Sequence, residues 1–251
     1  MIIIPFYEIC KLKIKANILQ LLFRPGLIGV FINPFYLGRS VMYINVKKFA
    51  HYITGKTLDV GSGSKPYFNL FKNVTEYIGL DVEQSGHSHK LESIDVFYDG
   101  KTFPFEENSF DSLVFFEVLE HVFNPETFFK QIKKVVRPQG YCLVSIPFIW
   151  GEHEQPFDFA RYSSFGLKYM FDQYGFEIVK HKKYLTDFRM IFLLINSYIY
   201  TTFKRFLPGY FAWIFILPLV ALNNILGLIC YILPKNEELY FGNIYVLKNT
   251  K

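Results

Sequence analysis

For a chain of 251 residues, one α/β domain with additions is the simplest architecture. Half of its residues (51%) are hydrophobic and a fifth aromatic, which is high for a purely soluble enzyme, while a net charge of +5 without any block of basic residues speaks against a nucleic-acid partner and suits a surface facing anionic lipid. Cys10, Cys142 and Cys230 lie far apart with no metal-type spacing, so neither a disulfide framework nor a thiolate metal site is expected, and reduced thiols in a cytosolic compartment are.

The first five residues, Met1 to Pro5, lack a basic leader and are soon followed by Lys11, Lys13 and Lys15, so no signal peptide is read there. Residues 1–52 are expected to form an N-terminal helical cap over a ligand site. Ile14, Ile18, Leu21 and Leu22 fall on one helical face, and Gly26, Gly29, Pro34 and Gly38 break the pattern. A second helical period runs from Val41 to Tyr52. Asn33 to Tyr36 could line the site, with packing the favoured role.

The stretch Thr57 to Pro66 organises the rest. Leu58 and Val60 read as a buried strand, and the cluster Gly61-Ser62-Gly63-Ser64 as a tight turn where a ligand can lie against the backbone. A second apolar run, Tyr77 to Leu80, ends in Asp81, whose carboxylate can accept both hydroxyl protons of a ribose. These parts describe a nucleoside pocket at the carboxyl edge of a parallel sheet. A dinucleotide fingerprint would have its third glycine at position 66, where a helix meets the pyrophosphate. Pro66 stands there instead, and a cofactor without phosphates does not need that helix.

Strand and helix signals alternate from Thr57 to Pro147, the pattern of a parallel sheet with crossovers. Asp99 precedes Phe103-Pro104-Phe105. Asn108 to Asp111 opens the strand-like run Ser112 to Phe116, and Glu117 to Val122 follows, with His121 in a helical context. Asn124 at a cap, Pro125 at the first position and Glu126 in the first turn predict a helix through Val136. Arg137 to Gly140 stops it, and Tyr141 to Pro147 is the next strand.

In this order, Asp59-x-Gly61-x-Gly63, Asp99 with Phe103-Pro104-Phe105, Asn108-Ser109-Phe110-Asp111, Val118-Leu119-Glu120-His121-Val122 and Arg137-Pro138-x-Gly140 resemble the class I S-adenosylmethionine (SAM) methyltransferases of the small type often called type 11. Lys65 replaces the third glycine of the family's first motif. The resemblance covers roughly residues 55–180. It implies a Rossmann-like seven-stranded α/β sheet of order 3-2-1-4-5-7-6, with its last strand, antiparallel, at Tyr240 to Leu247. It also implies SAM as cofactor: Gly61 and Gly63 against its methionine part, Asp59 on the ammonium, Asp81 on the ribose, Asp99 on the adenine amino group with Asp95 in reserve, and Phe103 against the ring. The methyltransferase domain would span residues 53–251.

After the strand ending at Pro147, residues 150–162 pack acids, histidine, arginine and aromatics into one loop. His153, Glu154, Pro156, Asp158, Arg161 and Tyr162 match a run found in a subset of these enzymes. His153 is expected as a base or acceptor-orienting group, with Asp158 and Arg161 building the pocket. The competing reading is that Asp158 and Arg161 pair to pin the loop and His153 fills a lid. His121 is a second candidate base. A His-Glu-x-x-His helix is absent, so no metal is implied.

Finally, residues 189–234 are strongly apolar, and Phe206 to Leu233 carries no charge, long enough for a membrane span. Because a final strand follows, an interfacial or re-entrant helical hairpin is expected rather than a single span, flanked by Lys182, Lys183, Arg189, Lys204, Arg205 and Lys235. The alternative is a soluble insertion packed on the domain or a dimer partner. Together these features suggest a cytoplasmic, peripheral or monotopic methyltransferase that O-methylates a hydroxyl on a glycan or lipid-linked acceptor at the inner membrane face. A non-catalytic, membrane-tethered binding protein and an NAD-dependent oxidoreductase are the alternatives.

Overall fold

The computed structural model describes residues 22–86 and 92–250. The helical face through Ile14, Ile18 and Leu21, and Cys10, lie outside the described residues. Two compact units are present: one joins the residues up to Ile44 with Tyr184–Phe241, the other joins Asn45–Lys183 with Gly242–Lys251. The segment read as an N-terminal cap over 1–52 is therefore divided between them.

The second unit is built on a seven-stranded sheet. Its strands are β1 (Thr54–Val60), β2 (Asn73–Val82), β3 (Val96–Tyr98), β4 (Phe110–Phe116), β5 (Val136–Pro147), β6 (Phe176–Tyr184) and β7 (Gly242–Asn249). Their spatial order is β3-β2-β1-β4-β5-β7-β6, the order that the resemblance implies. β1 pairs in parallel with β2 and β4, β2 with β3 and β4 with β5, whereas β7 runs antiparallel to β5. The central strands read as near-continuous apolar runs because both faces are covered. Leu58, Val60, Leu113, Phe115, Val144 and Ile146 are fully buried.

Helix α3 (Pro125–Val135) joins β4 to β5 and starts as its sequence predicts. Asn124 Oδ1 accepts the Thr127 N–H at 3.1 Å, and Pro125 occupies the first position. Its apolar stripe, Phe128, Phe129, Ile132 and Val135, packs into the same core as Leu167 and Phe171 of α4 (Ser164–Gln173). The lysines of α3 lie on the other side.

Between β1 and β2, where Pro66 stands against a helix start, there is no α-helix; residues 61–72 hold one 3-10 turn, Phe68–Leu70. Pro66 and a left-handed Lys65 leave too little chain for a longer helix. Two local expectations elsewhere are corrected. Glu117 to Val122 is not helical, beyond a single 3-10 turn at Leu119–His121. The strand after α3 begins at Val136 instead of Tyr141, because Val136 already pairs with Phe110 before the register shifts.

The first unit is helical. It contains α1 (Leu27–Ile32), the first part of α2 (Tyr36–Phe49), α5 (Arg189–Phe206) and α6 (Gly209–Ile229). Gly29 and Gly38, expected to break helices, sit inside α1 and α2. A Cβ there would come within 2.8 Å of the Tyr36 ring and 2.9 Å of Leu193, so glycine serves close packing. α5 and α6 pack on each other, joined only by Leu207 and Pro208. Asn224, buried in α6, accepts from Asn196 Nδ2 at 2.9 Å and donates to the carbonyls of Val30 (2.8 Å) and Asn33 (3.1 Å). Ala212, Ile216, Val220 and Asn224 form the buried face of α6, while Tyr210, Phe211, Ile214, Phe215, Leu222 and Ile229 are exposed. With its 3-10 extension, Gly209–Ile232 has a mean hydropathy of 2.1 over its most apolar window and is long and apolar enough to cross a membrane by length and composition.

Candidate active site

Parallel strands bring their carboxyl ends to one edge, and this edge holds the glycine bend. The Gly61 N–H donates to Leu80 O at 2.8 Å, so the chain leaving β1 turns across the end of β2. Gly61 has φ +66°, and a Cβ on it would sit 2.4 Å from Val118 Cγ2; only glycine fits. Asp81 ends β2 and faces this bend. Its Oδ2 accepts the Gly63 N–H at 3.1 Å and its Oδ1 the Val82 N–H at 2.8 Å.

Lys65, at the position of the family's third glycine, has φ +51° and so keeps the glycine conformation without being glycine. Its ammonium is paired with Asp95, whose Oδ2 also accepts the Gly79 N–H at 2.6 Å. Partial burial raises the Asp95 pKa, but the Gly79 amide and Lys65 outweigh it and hold the carboxyl below its usual range. Asp95 therefore clamps the bend to β2.

Asp59 is buried one position from the end of β1. Desolvation pushes its pKa up to about 7, against the lowering effect of a 2.7 Å hydrogen bond donated by Tyr77 Oη. Tyr77 was not anticipated. The signal was there, since it lies two residues before Gly79, the register partner of Asp59. Two of the predicted cofactor residues lie elsewhere than the bend. Asp99 is exposed, and its Oδ1 accepts the N–H groups of Lys101 and Thr102, both at 2.8 Å; these bonds hold its pKa down. Phe103 is only 1% exposed and makes T-shaped contacts with Tyr98 (5.2 Å) and Phe128 (6.0 Å) in the core.

The loop after β5 forms the other half of the site. Arg161 donates a two-pronged pair to Asp158, Nη1 to Oδ1 at 2.5 Å and Nη2 to Oδ2 at 2.7 Å, and further bonds to the carbonyls of Trp150, Gly151 and Ala160. The Arg161 fork accounts for the depressed pKa of Asp158. The Asp158 Oδ2 also accepts the His153 N–H at 2.9 Å. Asp158 and Arg161 thus pin the loop, and by pinning it they fix His153. Burial first, then the neighbouring His121, lowers the pKa of His153, so its imidazole is neutral at pH 7. His121 and His153 meet edge to face, ring centroids 4.7 Å apart. Tyr162 is half-buried against the core.

Beside them lies a residue the sequence reading left without a role. Glu120 is fully buried, and neither of its carboxylate oxygens has a hydrogen-bond partner. Its signal in the sequence was a lone acid inside the apolar run Val118 to Val122. Burial, followed by the Glu117 charge, drives its pKa well above the ordinary carboxylate range. One ligand atom each from Glu120, His121 and His153 lies within 4.8 Å of the others.

Residues 58–144 match the family model described as a methyltransferase domain. No curated protein matches the chain. Among solved structures, phosphoethanolamine N-methyltransferase 2 of Haemonchus contortus, in complex with phosphomonomethylethanolamine and S-adenosylhomocysteine, is 17% identical with a TM-score of 0.54, over 84% of this chain and 52% of that one. The same enzyme with SAM gives a TM-score of 0.55 at 17% identity, over 88% and 55% of the two chains. The [4+2]-cyclase SpnF is 15% identical with a TM-score of 0.55, over 84% of this chain and 81% of its own. This chain spans about half the length of the Haemonchus enzyme. Residues 58–144 thus match a methyltransferase domain, and the seven-stranded sheet that contains them has the class I methyltransferase fold.

Proposed function

We propose that this chain binds SAM at the Gly61–Gly63 bend and transfers its methyl group to a hydroxyl of a small acceptor. The observation that carries this reading is the Asp81 carboxylate, aimed at the bend and bonded to the Gly63 N–H at 3.1 Å. The donor set fits that cofactor. Two buried carboxylates, Asp59 and Asp81, suit an ammonium and a pair of ribose hydroxyls, and would repel a diphosphate. Among the described residues no α-helix follows the bend, so a pyrophosphate has no helix N-terminus to meet, and the NAD reading is not favoured.

In this reading Gly61 and Gly63 give the methionine part room, Asp59 takes the ammonium, Asp81 the ribose diol, and Asp99 the adenine amino group through Oδ2. Phe103 supports that end from within the core. SAM supplies an already activated methyl group, so the protein's task is mainly alignment. His153, neutral and held by the Asp158–Arg161 pair, orients the acceptor hydroxyl or receives its proton.

The reading of a glycan or lipid-linked acceptor at a membrane is supported by α6, whose exposed side is apolar over its whole length. The helical hairpin α5–α6 would lie at the interface, with Arg189, Lys204, Arg205 and Lys235 near headgroups. The cyclase SpnF has the fold under the name of another reaction, so fold alone does not fix the chemistry. Calorimetric titration of SAM tests the central claim. Binding in the micromolar range that Asp81→Ala abolishes supports it, and no binding at millimolar SAM refutes it. Incubation with radiolabelled SAM and membrane extract then identifies the acceptor. Co-sedimentation with anionic vesicles tests the membrane part, which fails if the protein stays in the supernatant.

A further inference from the structure

Glu120 poses an electrostatic problem that the methyl-transfer reading leaves unsolved. A carboxylate removed from water needs hydrogen bonds or a counter-charge. Among the described residues neither Glu120 oxygen has a hydrogen-bond partner, and Arg161, whose charge partly offsets the burial of Glu120, has its fork committed to Asp158. The other acids nearby add negative charge. Glu117 accepts from Ser145 Oγ at 2.6 Å, and Glu154 Oε2 lies 3.9 Å from His121 Nε2.

The two imidazoles complete the picture through their far nitrogens. His121 Nδ1 is 2.8 Å from the carbonyl oxygen of Phe157, which can only accept, so Nδ1 carries a proton and Nε2 is the nitrogen that a metal would take. That Nε2 is 3.9 Å from Glu120 Oε1. His153 Nδ1 is likewise 3.2 Å from the Gly151 carbonyl and 3.2 Å from Asp158 Oδ2. An imidazole whose outer N–H is held by a carbonyl or carboxylate, with the inner nitrogen bare, is the arrangement that supports a metal ligand.

We propose that Glu120, His121 and His153 bind one divalent transition-metal cation. Two imidazoles and one carboxylate are the borderline donors that suit Zn²⁺, Mn²⁺ or Co²⁺ better than Ca²⁺. Ligand atoms bonded at about 2.1 Å to a tetrahedral cation are about 3.4 Å apart. His121 Nε2 and Glu120 Oε1, 3.9 Å apart, are near that spacing, and the widest pair, within 4.8 Å, closes by about 1 Å through side-chain rotation when a cation binds. Three protein ligands leave coordination positions for an outside molecule.

The site adjoins the cofactor bend, since Val118, two residues before Glu120, packs against Gly61. A role in catalysis rests on the methyltransferase reading. An acceptor hydroxyl held at the cation loses its proton to water more readily, because the positive charge stabilises the alkoxide. Such a site favours acceptors with two adjacent hydroxyls, which chelate the cation, over simple alcohols or amines. His153 is then a ligand with its Nδ1–H held by Asp158, in place of a free base.

The test uses Mn²⁺ and Zn²⁺ as probes on metal-stripped full-length protein. Mn²⁺ electron paramagnetic resonance and Zn²⁺ calorimetry are expected to show one site per chain, weakened more than about tenfold by His153→Ala and by Glu120→Gln. Glu126→Gln, on the exposed side of α3, serves as the control and leaves binding unchanged. Circular dichroism separates lost binding from lost folding, and His121→Ala replaces any variant that unfolds. Absence of a stoichiometric site, or a site unaffected by all three ligand variants, overturns the proposal. SAM titration on the same samples keeps the two claims apart. SAM binding without cation binding refutes the cation site alone, and cation binding without SAM binding removes its catalytic role.

Discussion

The two halves of the candidate site are made in different ways. The cofactor half comes from the ends of β1 and β2 and from backbone amides, so strand register sets its geometry. The acceptor half comes from side chains on the turn after β4 and the loop after β5, held in place by one guanidinium. Strand ends tolerate little change and give a generic ligand grip. Loops tolerate much more and carry specificity. Substitutions in the first half should therefore abolish ligand binding, and those in the second should change the reaction while sparing the cofactor.

The largest effect is expected from Asp81→Ala. It removes the acceptor of the Gly63 and Val82 amides as well as the proposed ribose ligand. SAM affinity should fall at least about a hundredfold, or about 3 kcal/mol, by calorimetry. Retained affinity would break the comparison at its stronger side. His153→Ala comes next: turnover should fall about tenfold or more, with SAM affinity within about twofold of the parent. Equal losses in both would show that the halves are not separable. Arg161→Ala should act like a weaker version of it, through a loosened loop seen as faster proteolysis between Trp150 and Tyr162.

Asp59 gives a pH signature. Its folded-state pKa, raised from 3.8 to about 7, means that its contribution to stability is complete below about pH 4 and is lost as pH rises through 7. Asp59→Asn should therefore melt higher than the parent above pH 7, and the gap should close in acid. An ammonium ligand pulls that pKa down, so SAM should bind more tightly as pH rises from 5.5 to 7, with proton release that the variant lacks. The smallest effect is expected for Lys65→Gly, which relieves a left-handed residue worth about 1 kcal/mol but gives up the Asp95 pair. A melting shift of more than a few degrees in either direction would mean that one of these terms is misjudged.

Much of the first half was legible in the sequence, because a short apolar run, a glycine cluster and an acid about twenty residues on are all local signals. The second half was legible as a matched run of residues but not as a set of contacts. His153, Asp158 and Arg161 stood out as residue types, but whether Arg161 would grip Asp158 or an outside ligand depends on where the loop folds back. Glu120 shows the limit most clearly. Its burial is created by packing around the end of β4, and periodicity cannot tell an acid facing water from one enclosed without a partner. The missing helix between β1 and β2 has a local cause, Pro66 with a left-handed Lys65, and Pro66 was legible in the sequence. Asp99 and Phe103 were assigned by pattern, and packing gives each a structural contact that the pattern does not contain.

The position of β7 bears on how the chain is made. It lies between β5 and β6 in the sheet, yet it is synthesised after both, and after α5 and α6. Until residues 242–249 have left the ribosome, β5 keeps a bare edge and β6 has no strand beside it. The apolar hairpin emerges during that interval, free to meet a bilayer or a chaperone before the sheet is closed behind it.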